Sequence, residues 1–378
     1  MKHWPTKSLG EIAELYQPKT ITGTDILAEG PFKVFGANGV IGFYDKYNHE
    51  DAEVAVTCRG ATCGTVNFTE PKSWITGNAM VVSPRDKTLE KRYLFYALKG
   101  SEMAGVITGS AQPQITRQSF SPLKITVPPL ADQKRIVKLL DEADELRKLR
   151  VQADRRTANL IPALFHEMFG DPATNIKNWR RVVFGDLLDG IEGGWSPVCH
   201  DRPAQSDEWG VLKLGAVTTC QYTDNENKSL PENFTPRPGL EVKVGDLLFT
   251  RKNTYELVAA CAMVFETRPK LMLSDLIFRF RLKPDIELDP LYLWGLLTAP
   301  SKRRQVQSLA GGSAGSMPNI SKGRLVTLPI EMPPLALQKE FAQRVTEIRA
   351  LEAEQAASRT RLDALFQSLL HRAFNGEL

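Results

Sequence analysis

Two nearly identical stretches of the chain, 205 positions apart, constrain its architecture more than any other feature. Residues 128–134 read Pro-Pro-Leu-Ala-Asp-Gln-Lys and residues 333–339 read Pro-Pro-Leu-Ala-Leu-Gln-Lys. The same offset continues without a gap to the end of the sequence, so that Leu160 corresponds to Leu365. Repeats of solenoids and propellers are only about 20–50 residues long. The pattern therefore indicates duplication of a whole domain together with an attached helix.

Length and composition fit two folded domains. The 378 residues suffice for two domains of roughly 100–200 residues each. The sequence is 42% hydrophobic and 24% charged, as is usual for a folded protein, and its net charge of +4 is compatible with nucleic-acid binding without requiring it. No apolar run approaches the roughly 18 residues of a membrane span, and the N-terminus lacks a signal-peptide core. We therefore expect a cytoplasmic protein.

The globular part of the first copy precedes residue 129. Glycine and proline divide it into short strand-like runs, which end with Leu123–Val127. One amphipathic helix is predicted over Leu89–Lys99. These features predict a mixed α+β domain with largely antiparallel strands.

The second copy has the same layout. Trp179 corresponds to Trp4 at an offset of 175 rather than 205, so the second domain contains about 30 additional residues. Its helix is predicted over Pro290–Leu297. Because the two globular parts share little residue identity whereas the helices that follow them are much alike, we infer two diverged domains on one repeated scaffold.

Long helices are predicted over residues 131–169 and 336–374, each spanning roughly 55 Å. Pro162 should kink the first helix. In the second helix, a 3-4 alternation predicts a coiled-coil seam, in which Gln355 and Ser358 are polar positions; its apolar members are Ile348, Leu351, Leu362, Leu365 and Leu369. The expected fold class is α+β, with two mixed domains and two long antiparallel coiled-coil helices in a pseudo-twofold repeat.

Catalytic signatures are missing from the sequence. It contains no P-loop, no dinucleotide-binding glycine turn, no Asn/Asp-Pro-Pro-Tyr/Phe methyltransferase motif and no zinc-protease motif. The cysteines and histidines do not cluster at zinc-ligand spacing, so we expect no metal site. His166 and His371 are more simply explained as cations at helix ends or as packing residues. The chain alone is predicted not to be an enzyme, with no catalytic residues and no cofactor of its own.

Recognition remains as the predicted role. Basic and amide side chains next to glycine-containing turns could bind DNA, because arginine suits guanine, asparagine and glutamine suit adenine, and lysine suits phosphate. The candidates in the first domain are Lys33, Asn38, Arg59, Gln112, Gln114 and Arg117. Those in the second are Arg251, Lys252, Asn253, Tyr255, Asn319, Lys322 and Arg324. For any single one of these residues, an ordinary solvated surface is the favoured interpretation.

The sequence resembles the specificity (S) subunits of Type I restriction–modification systems. The resemblance is carried by the repeated Pro-Pro-Leu-x-x-Gln-Lys segments, by Gln112–Thr116 and Met317–Ser321, and by Gly245–Arg251. The order of domain, helix, domain, helix is equally typical. In the first domain, Asp51-Ala52-Glu53 replaces the Gly-Asp of the second, which is a departure from the family pattern.

The resemblance implies that each globular part is a target recognition domain for one half of a bipartite, asymmetric DNA site. It implies recognition domains at 1–128 and 171–333, and spacer helices at 129–170 and 334–378. Two methyltransferase (M) subunits would dock around the helices, near Gln133, Lys134, Gln338 and Lys339. The M subunits would hold S-adenosylmethionine for adenine-N6 methylation. Two restriction (R) subunits, using ATP and Mg, would add DNA cleavage.

Other interpretations stay open at this point. A two-headed DNA-binding regulator would also have two domains, although the divergence of the heads favours two different half-sites over a palindrome. A coiled-coil adaptor without a DNA role would lack the steep salt dependence of duplex binding. An enzyme with an unrecognised active site is the third alternative.

Overall fold

A computed structural model describes residues 4–37, 39–109, 112–311 and 317–378. The chain divides into two compact units. The first unit comprises residues 1–152 and 355–378, and the second comprises residues 153–354. Both unit boundaries fall inside long helices, so each unit contains one globular part and segments of both helices.

The elements up to residue 169 include short strands and a long helix that is followed by a shorter one. The strands are β1 (Thr6–Ser8), β2 (Ala13–Tyr16), β3 (Phe32–Gly36), β4 (Gly39–Tyr44), β5 (Val54–Thr57), β6 (Val66–Phe68), β7 (Trp74–Ile75), β8 (Ala79–Pro84) and β9 (Lys124–Thr126). The helices are α1 (Leu9–Ile12), α2 (Lys91–Lys99), α3 (Arg117–Phe120), α4 (Leu130–Thr157) and α5 (Leu160–Phe169).

The elements after residue 170 follow a similar order. The strands are β10 (Arg180–Val183), β11 (Leu188–Gly193), β12 (Gly210–Leu212), β13 (Asn227–Ser229), β14 (Leu247–Thr250), β15 (Cys261–Met263), β16 (Leu271–Met272), β17 (Ile277–Leu282) and β18 (Pro329–Met332). The helices are α6 (Phe184–Leu187), α7 (Gly215–Thr218), α8 (Pro290–Thr298), α9 (Pro300–Gln307), α10 (Lys322–Leu325) and α11 (Leu335–Phe374).

The two units have the same sheet topology. In the first unit the strand orders are β2-β8-β5-β6, β4-β3-β7 and β1-β9. In the second they are β11-β17-β14-β15, β13-β12-β16 and β10-β18, which is the same order strand for strand. The predicted duplication and the predicted mixed α+β class are confirmed. The sequence did not reveal that β3–β7 and β12–β16 pair in parallel.

Buried aromatic residues of the short helix occupy the core of each unit. In the first unit, Tyr93 and Tyr96 of α2 are fully buried in one cluster with Phe366 of α11. In the second unit, Tyr292 of α8 packs against Phe165 of α5, with ring centroids 5.9 Å apart. Burial of such side chains stabilises a fold by about 1.5–3 kcal/mol each. The long helices are therefore part of each unit's core.

The first long helix is interrupted at residues 158–159, between α4 and α5. Pro162 lies in the first turn of α5, where its missing N–H is tolerated. In a continuous helix, the proline ring would clash with the carbonyl group of Ala158, four residues earlier. The predicted kink is thus a break that lies upstream of the proline.

The second long helix is continuous, as predicted, but its most buried face differs from the predicted seam. Leu351 and Leu365 are 42% and 48% exposed. The fully buried positions include Phe341, Phe366 and Leu370, which pack into the cores of the units. The predicted buried face included Leu365, whereas the buried residue is the next one, Phe366. The difference arises because the helix packs against a globular core rather than along a single helical seam.

Candidate nucleic-acid interface

Two loops of the first unit are joined by backbone hydrogen bonds at the predicted recognition residues. Gln114 and Thr108 exchange two backbone hydrogen bonds of 2.8 Å each. Gln114 also forms an isolated β-bridge with Arg59, in the loop that follows β5. Short ladder contacts of this kind fix backbone positions. The structure therefore brings Arg59 and Gln114, which are far apart in sequence, next to each other.

Four predicted DNA-contacting side chains of this unit are exposed, and all lie on these loops or at the following helix: Arg59, Gln112, Gln114 and Arg117. Arg117 begins α3, whose N-cap Thr116 accepts a hydrogen bond from the backbone N–H of Ser119 at 3.1 Å. The cap fixes the start of the helix. The result is a compact surface with two guanidinium and two amide groups.

The remaining two predictions for the first unit are not part of this surface. Lys33 lies on β3 and its ammonium is 2.6 Å from the carboxylate of Glu70. An exposed ion pair of this kind leaves the lysine partly neutralised. Asn38 lies outside the described residues.

The second unit repeats the joined loops. Asn319 exchanges two backbone hydrogen bonds of 2.9 Å with Gly311 and forms a β-bridge with Lys252. The backbone N–H of Ile320 donates to the carbonyl of Arg251 at 2.8 Å. In the first unit, Ile115 donates in the same way to Cys58 at 3.0 Å. The same backbone frame thus presents different side chains in the two units.

Two cations converge on one aromatic ring in the second unit. The guanidinium carbon of Arg251 lies 5.1 Å from the ring centre of Phe278, and the ammonium of Lys322 lies 5.6 Å from it. The guanidinium Nε of Arg251 also donates to the side-chain oxygen of Asn319 at 3.2 Å. Cation–π contact orients the two positive side chains without neutralising them. No ion-pair partner of either cation occurs among the described residues.

A buried charge network holds the strand that carries Phe278. Arg279 is 1% exposed and donates to Asp246 at 2.9 Å and to Glu192 at 2.6 Å. Burial works to raise the pKa of Glu192, but hydrogen bonds from Arg279 and Arg281 outweigh it and leave this pKa below its usual value. A satisfied buried network of this kind makes its surroundings rigid. Phe278 is therefore a fixed platform.

The carboxylate of this network has a counterpart in the first unit. Glu53 and Asp246 each directly precede corresponding strands, β5 and β14. Glu53 is buried and pairs with Lys91 at 2.7 Å. The first unit thus has an acidic residue, Glu53, where the second has Asp246, but Glu53 pairs with a lysine and Asp246 with an arginine.

Tyr255 projects from an anchored loop of the second unit, residues 253–258, and is 56% exposed. Gln307 of α9 is 8% exposed, and its side-chain amide donates to the carbonyl groups of Tyr255, Glu256 and Val258 at 3.0, 3.3 and 3.3 Å. Arg303 donates to the carbonyl of Glu256 at 3.0 Å. The loop therefore has a defined conformation.

Two predicted residues of the second unit have internal roles. Asn253 is buried, and its side-chain oxygen accepts the backbone N–H of Thr254 at 2.9 Å, so this side chain is removed from the candidate DNA surface. Arg324 is exposed but donates to the carbonyl of Leu309 at 2.9 Å. This bond ties α10 to the loop that contains Gly311.

Sequence reasoning missed Phe278, Gln307 and Arg303. Phe278 lies in β17, and nothing in the neighbouring sequence signals a cation stacked on its ring. Gln307 is a polar residue in a short helix, α9, that was not predicted. Only the folded loop shows what its amide contacts.

The repeated glutamines of the helix starts are buried, which corrects their prediction as partner-binding side chains. Gln133 is 0% exposed; its amide oxygen accepts from the backbone of Glu90, and its nitrogen donates to the carbonyls of Thr88 and Pro128, all at 2.8 Å. Gln338 makes the same three kinds of bond in the second unit, at 2.8–3.1 Å. A saturated, buried side chain offers no surface to a partner. Lys134 and Lys339 are exposed.

No group of three or more histidine, cysteine or acidic side chains that could hold a metal ion occurs among the described residues. In the same part of the chain, no helix is long and apolar enough to cross a membrane. The candidate surface consists of hydrogen-bond donors, amides and aromatic rings, which suit recognition of DNA bases and phosphates.

Comparisons with known proteins show what this chain is similar to. Residues 1–153 match the family described as Type I restriction modification DNA specificity domain. The EcoEI specificity subunit of Escherichia coli is 35% identical over 196 residues, which cover 52% of this chain and 32% of that protein. The EcoKI specificity subunit of Escherichia coli strain K12 is 26% identical over 307 residues, covering 75% and 63%. The chain therefore spans less than two thirds of the length of either relative.

A solved structure shares the fold. The S subunit of a Type I restriction–modification system from M. genitalium has a TM-score of 0.61 and 14% identity, covering 98% of this chain and 96% of that one. The family match thus covers the first globular part of the chain and most of α4. The chain is thus similar in sequence to Type I restriction enzyme specificity subunits, and its fold is similar to that of a solved S subunit.

Proposed function

We propose that this chain is the DNA-sequence-specificity subunit of a Type I restriction–modification complex. The observation that carries the proposal is the repeated pair of joined loops, which presents Arg59 and Gln114 in one unit and Arg251 and Asn319 in the other. Arginine and amide side chains on rigid loops are suited to reading base edges. Because these side chains differ between the units, each unit reads a different half of a bipartite, asymmetric site.

The proposed domain boundaries follow from the repeat. Residues 1–128 and 171–333 are the recognition domains, and residues 129–170 and 334–378 are helices that run antiparallel and set the distance between the half-sites. Exposed apolar residues support a role of these helices in binding partners, and they include Leu139, Leu146, Leu149, Leu351 and Leu365. We propose that two methyltransferase subunits dock there, close to the exposed Lys134 and Lys339.

The chemistry belongs to the partners under this proposal. The methyltransferase subunits hold S-adenosylmethionine and methylate adenine N6, and two restriction subunits supply ATP- and Mg-dependent cleavage. The specificity chain contributes recognition without a cofactor of its own.

Genome-wide mapping of N6-methyladenine in cells with and without the gene tests the proposal. We expect one bipartite motif to lose methylation when the gene is deleted and to regain it on complementation. Duplex binding by the assembled complex should fall steeply with salt, since phosphate contacts release counterions. An unchanged methylome together with salt-insensitive binding would exclude the DNA role and favour a coiled-coil adaptor.

A further inference from the structure

The second unit contains a cavity of about 530 Å³ that the proposed function does not use. Its walls come from α5, α8, α9, α11 and the loop around Tyr222. Aromatic residues contribute much of the lining, and they are Phe165, Tyr222, Phe265 and Trp294. Cavities of about 300–1,000 Å³ hold small organic ligands in other proteins. The size and the lining suit a ligand with an aromatic ring.

The repeat shows what fills the corresponding place in the first unit. There the ring centres of Phe366 and Tyr96 lie 6.3 Å apart. The guanidinium of Arg147 lies 4.6 Å above the Phe366 ring, and the ammonium of Lys99 lies 5.3 Å from it. An aromatic ring in contact with two cations therefore occupies this position, and cation–π attraction stabilises it.

Smaller side chains stand at these positions in the second unit. Phe366 corresponds to Ile161 at the helix offset of 205, and Arg147 corresponds to Glu352. In the short helix, Tyr96 and Lys99 of α2 correspond to Gly295 and Thr298 of α8. All four counterparts line the cavity: Ile161, Gly295, Thr298 and Glu352. Phe165 and Phe341 take up the space at Gly295, where an added Cβ would lie 2.8 and 3.0 Å from them. At the position of the Phe366 ring, the second unit has the smaller side chain of Ile161.

The charged residues of the cavity favour an uncharged ring. Three arginines line it, Arg303, Arg304 and Arg349. Arg349 already lies 4.6 Å above the ring of Phe265 and pairs with Glu352 at 2.7 Å. Three carboxylates, those of Asp171, Glu266 and Glu352, balance the arginines, so the walls have little net charge. Guanidinium groups attract the faces of electron-rich rings.

We propose that this cavity binds an uncharged, electron-rich aromatic ring of the indole or phenol class, in the position that Phe366 takes in the first unit. The ring can come from a small molecule or from a side chain of a partner subunit. The inference does not depend on DNA recognition, since none of the side chains proposed to contact DNA lines the cavity; Arg303 lines it and also supports the loop that carries Tyr255.

The probe for this site is 5-fluoroindole, observed by fluorine NMR with the full-length chain, and cyclohexanol serves as an aliphatic competitor of similar size. We expect line broadening of the probe by the wild type, displacement by phenol and little displacement by cyclohexanol. Ile161→Phe restores the residue of the first unit and should abolish binding while raising the melting temperature. Val244→Phe adds the same ring at an exposed position outside the cavity and should bind the probe normally.

Thr298→Lys is the second filling variant and keeps the test valid if Ile161→Phe does not fold. Probe binding that persists in a folded filling variant would overturn the proposal, as would the absence of binding to the wild type. The same titration on the complex purified with its methyltransferase subunits identifies the source of the ring. Loss of probe binding there, with weaker assembly of Ile161→Phe, indicates a partner side chain. Retained binding with normal assembly indicates a small molecule.

Discussion

Gln133 and Gln338 show how one side chain can define a repeated motif. Each connects three backbone segments: the start of a long helix, the diproline before it and the residues preceding the short helix. Lysine or glutamate of similar length could not supply both the donor and the acceptor groups that these bonds require. The glutamine of Pro-Pro-Leu-x-x-Gln-Lys is therefore explained by folding, whereas the following lysine is exposed.

Replacement of Gln133 by alanine should destabilise the first unit. It would leave a partly buried backbone N–H and two carbonyl groups without their side-chain partner, and we expect the free energy of unfolding to fall by about 3 kcal/mol. Urea denaturation measures this change. Lys134→Ala, at the adjacent exposed position, is the control and should change stability by less than about 0.5 kcal/mol. Equal stability of both variants would contradict the structural role of the glutamine.

His49 is a buried titratable residue of the first unit. One ring nitrogen lies 3.0 Å from the hydroxyl of Tyr16, and the other lies 2.6 Å from the side-chain oxygen of Asn48. Burial lowers the pKa of His49 below its ordinary value of 6.5, and the opposing influence of Glu53 is smaller. The folded chain therefore favours the neutral imidazole.

The stability of the first unit should consequently depend on pH through His49. Because the folded-state pKa is lower than the unfolded-state pKa, the stabilisation is fully present above about pH 6.5 and is lost as the pH falls below that value. We expect denaturation curves at pH 8 and pH 5.5 to differ more for the wild type than for His49→Gln. The control His200→Gln, at an exposed position, should retain the wild-type difference. If His49→Gln showed the same difference between pH 8 and pH 5.5 as the wild type, His49 would not be the source of the pH dependence.

Among the elements of the described residues, α9 and the loop it anchors distinguish the second unit from the first. The side-chain amide of Gln307 donates hydrogen bonds to three backbone carbonyl groups of residues 253–258. Side chains on such anchored loops keep their positions before a ligand binds, which lowers the entropic cost of recognition. Tyr255 is therefore presented to DNA in a defined position under the proposed function.

Gln307→Ala should release this loop. Loss of its shared hydrogen bonds should accelerate amide hydrogen exchange in residues 253–258 by roughly tenfold, since a net bond contributes about 1 kcal/mol or more. Hydrogen-exchange mass spectrometry measures the effect. Gln305→Ala, on an exposed position of the same helix, should leave exchange unchanged. Unaltered exchange in Gln307→Ala would show that the loop is held by other contacts.

The sequence predicted the elements with strong periodicity and missed those that depend on tertiary contacts. The helix over Leu335–Phe374 follows from its apolar spacing, and α2 from its amphipathic pattern. The pairing of the two-residue strand β7 with β3 could not be predicted, because two residues contain no period. The loops containing Arg59 and Gln114 were selected by residue type, but their contact depends on backbone pairing between segments distant in sequence.

For the whole molecule, the position of the unit boundaries is informative. One boundary follows Gln152 in α4 and the other follows Glu354 in α11, so each helix contributes residues to both units. Under the proposed function, the two helices have to change in length together. Under the proposed function, matched changes in both helices should alter the distance between half-sites while leaving both recognition surfaces intact.

Insertion of four helix-forming residues after Gln152 and after Glu354 tests this expectation. Each insertion adds about 6 Å of helix, which corresponds to about two base pairs of DNA at 3.4 Å per step. We expect the methylated motif to keep both half-sites and to gain about two base pairs in its spacer, as read by methylome sequencing. Insertion into α4 alone is the control and should abolish methylation, because the helices then no longer match. Methylation at the original spacing by the double insertion would rule out the helices as the determinant of that distance.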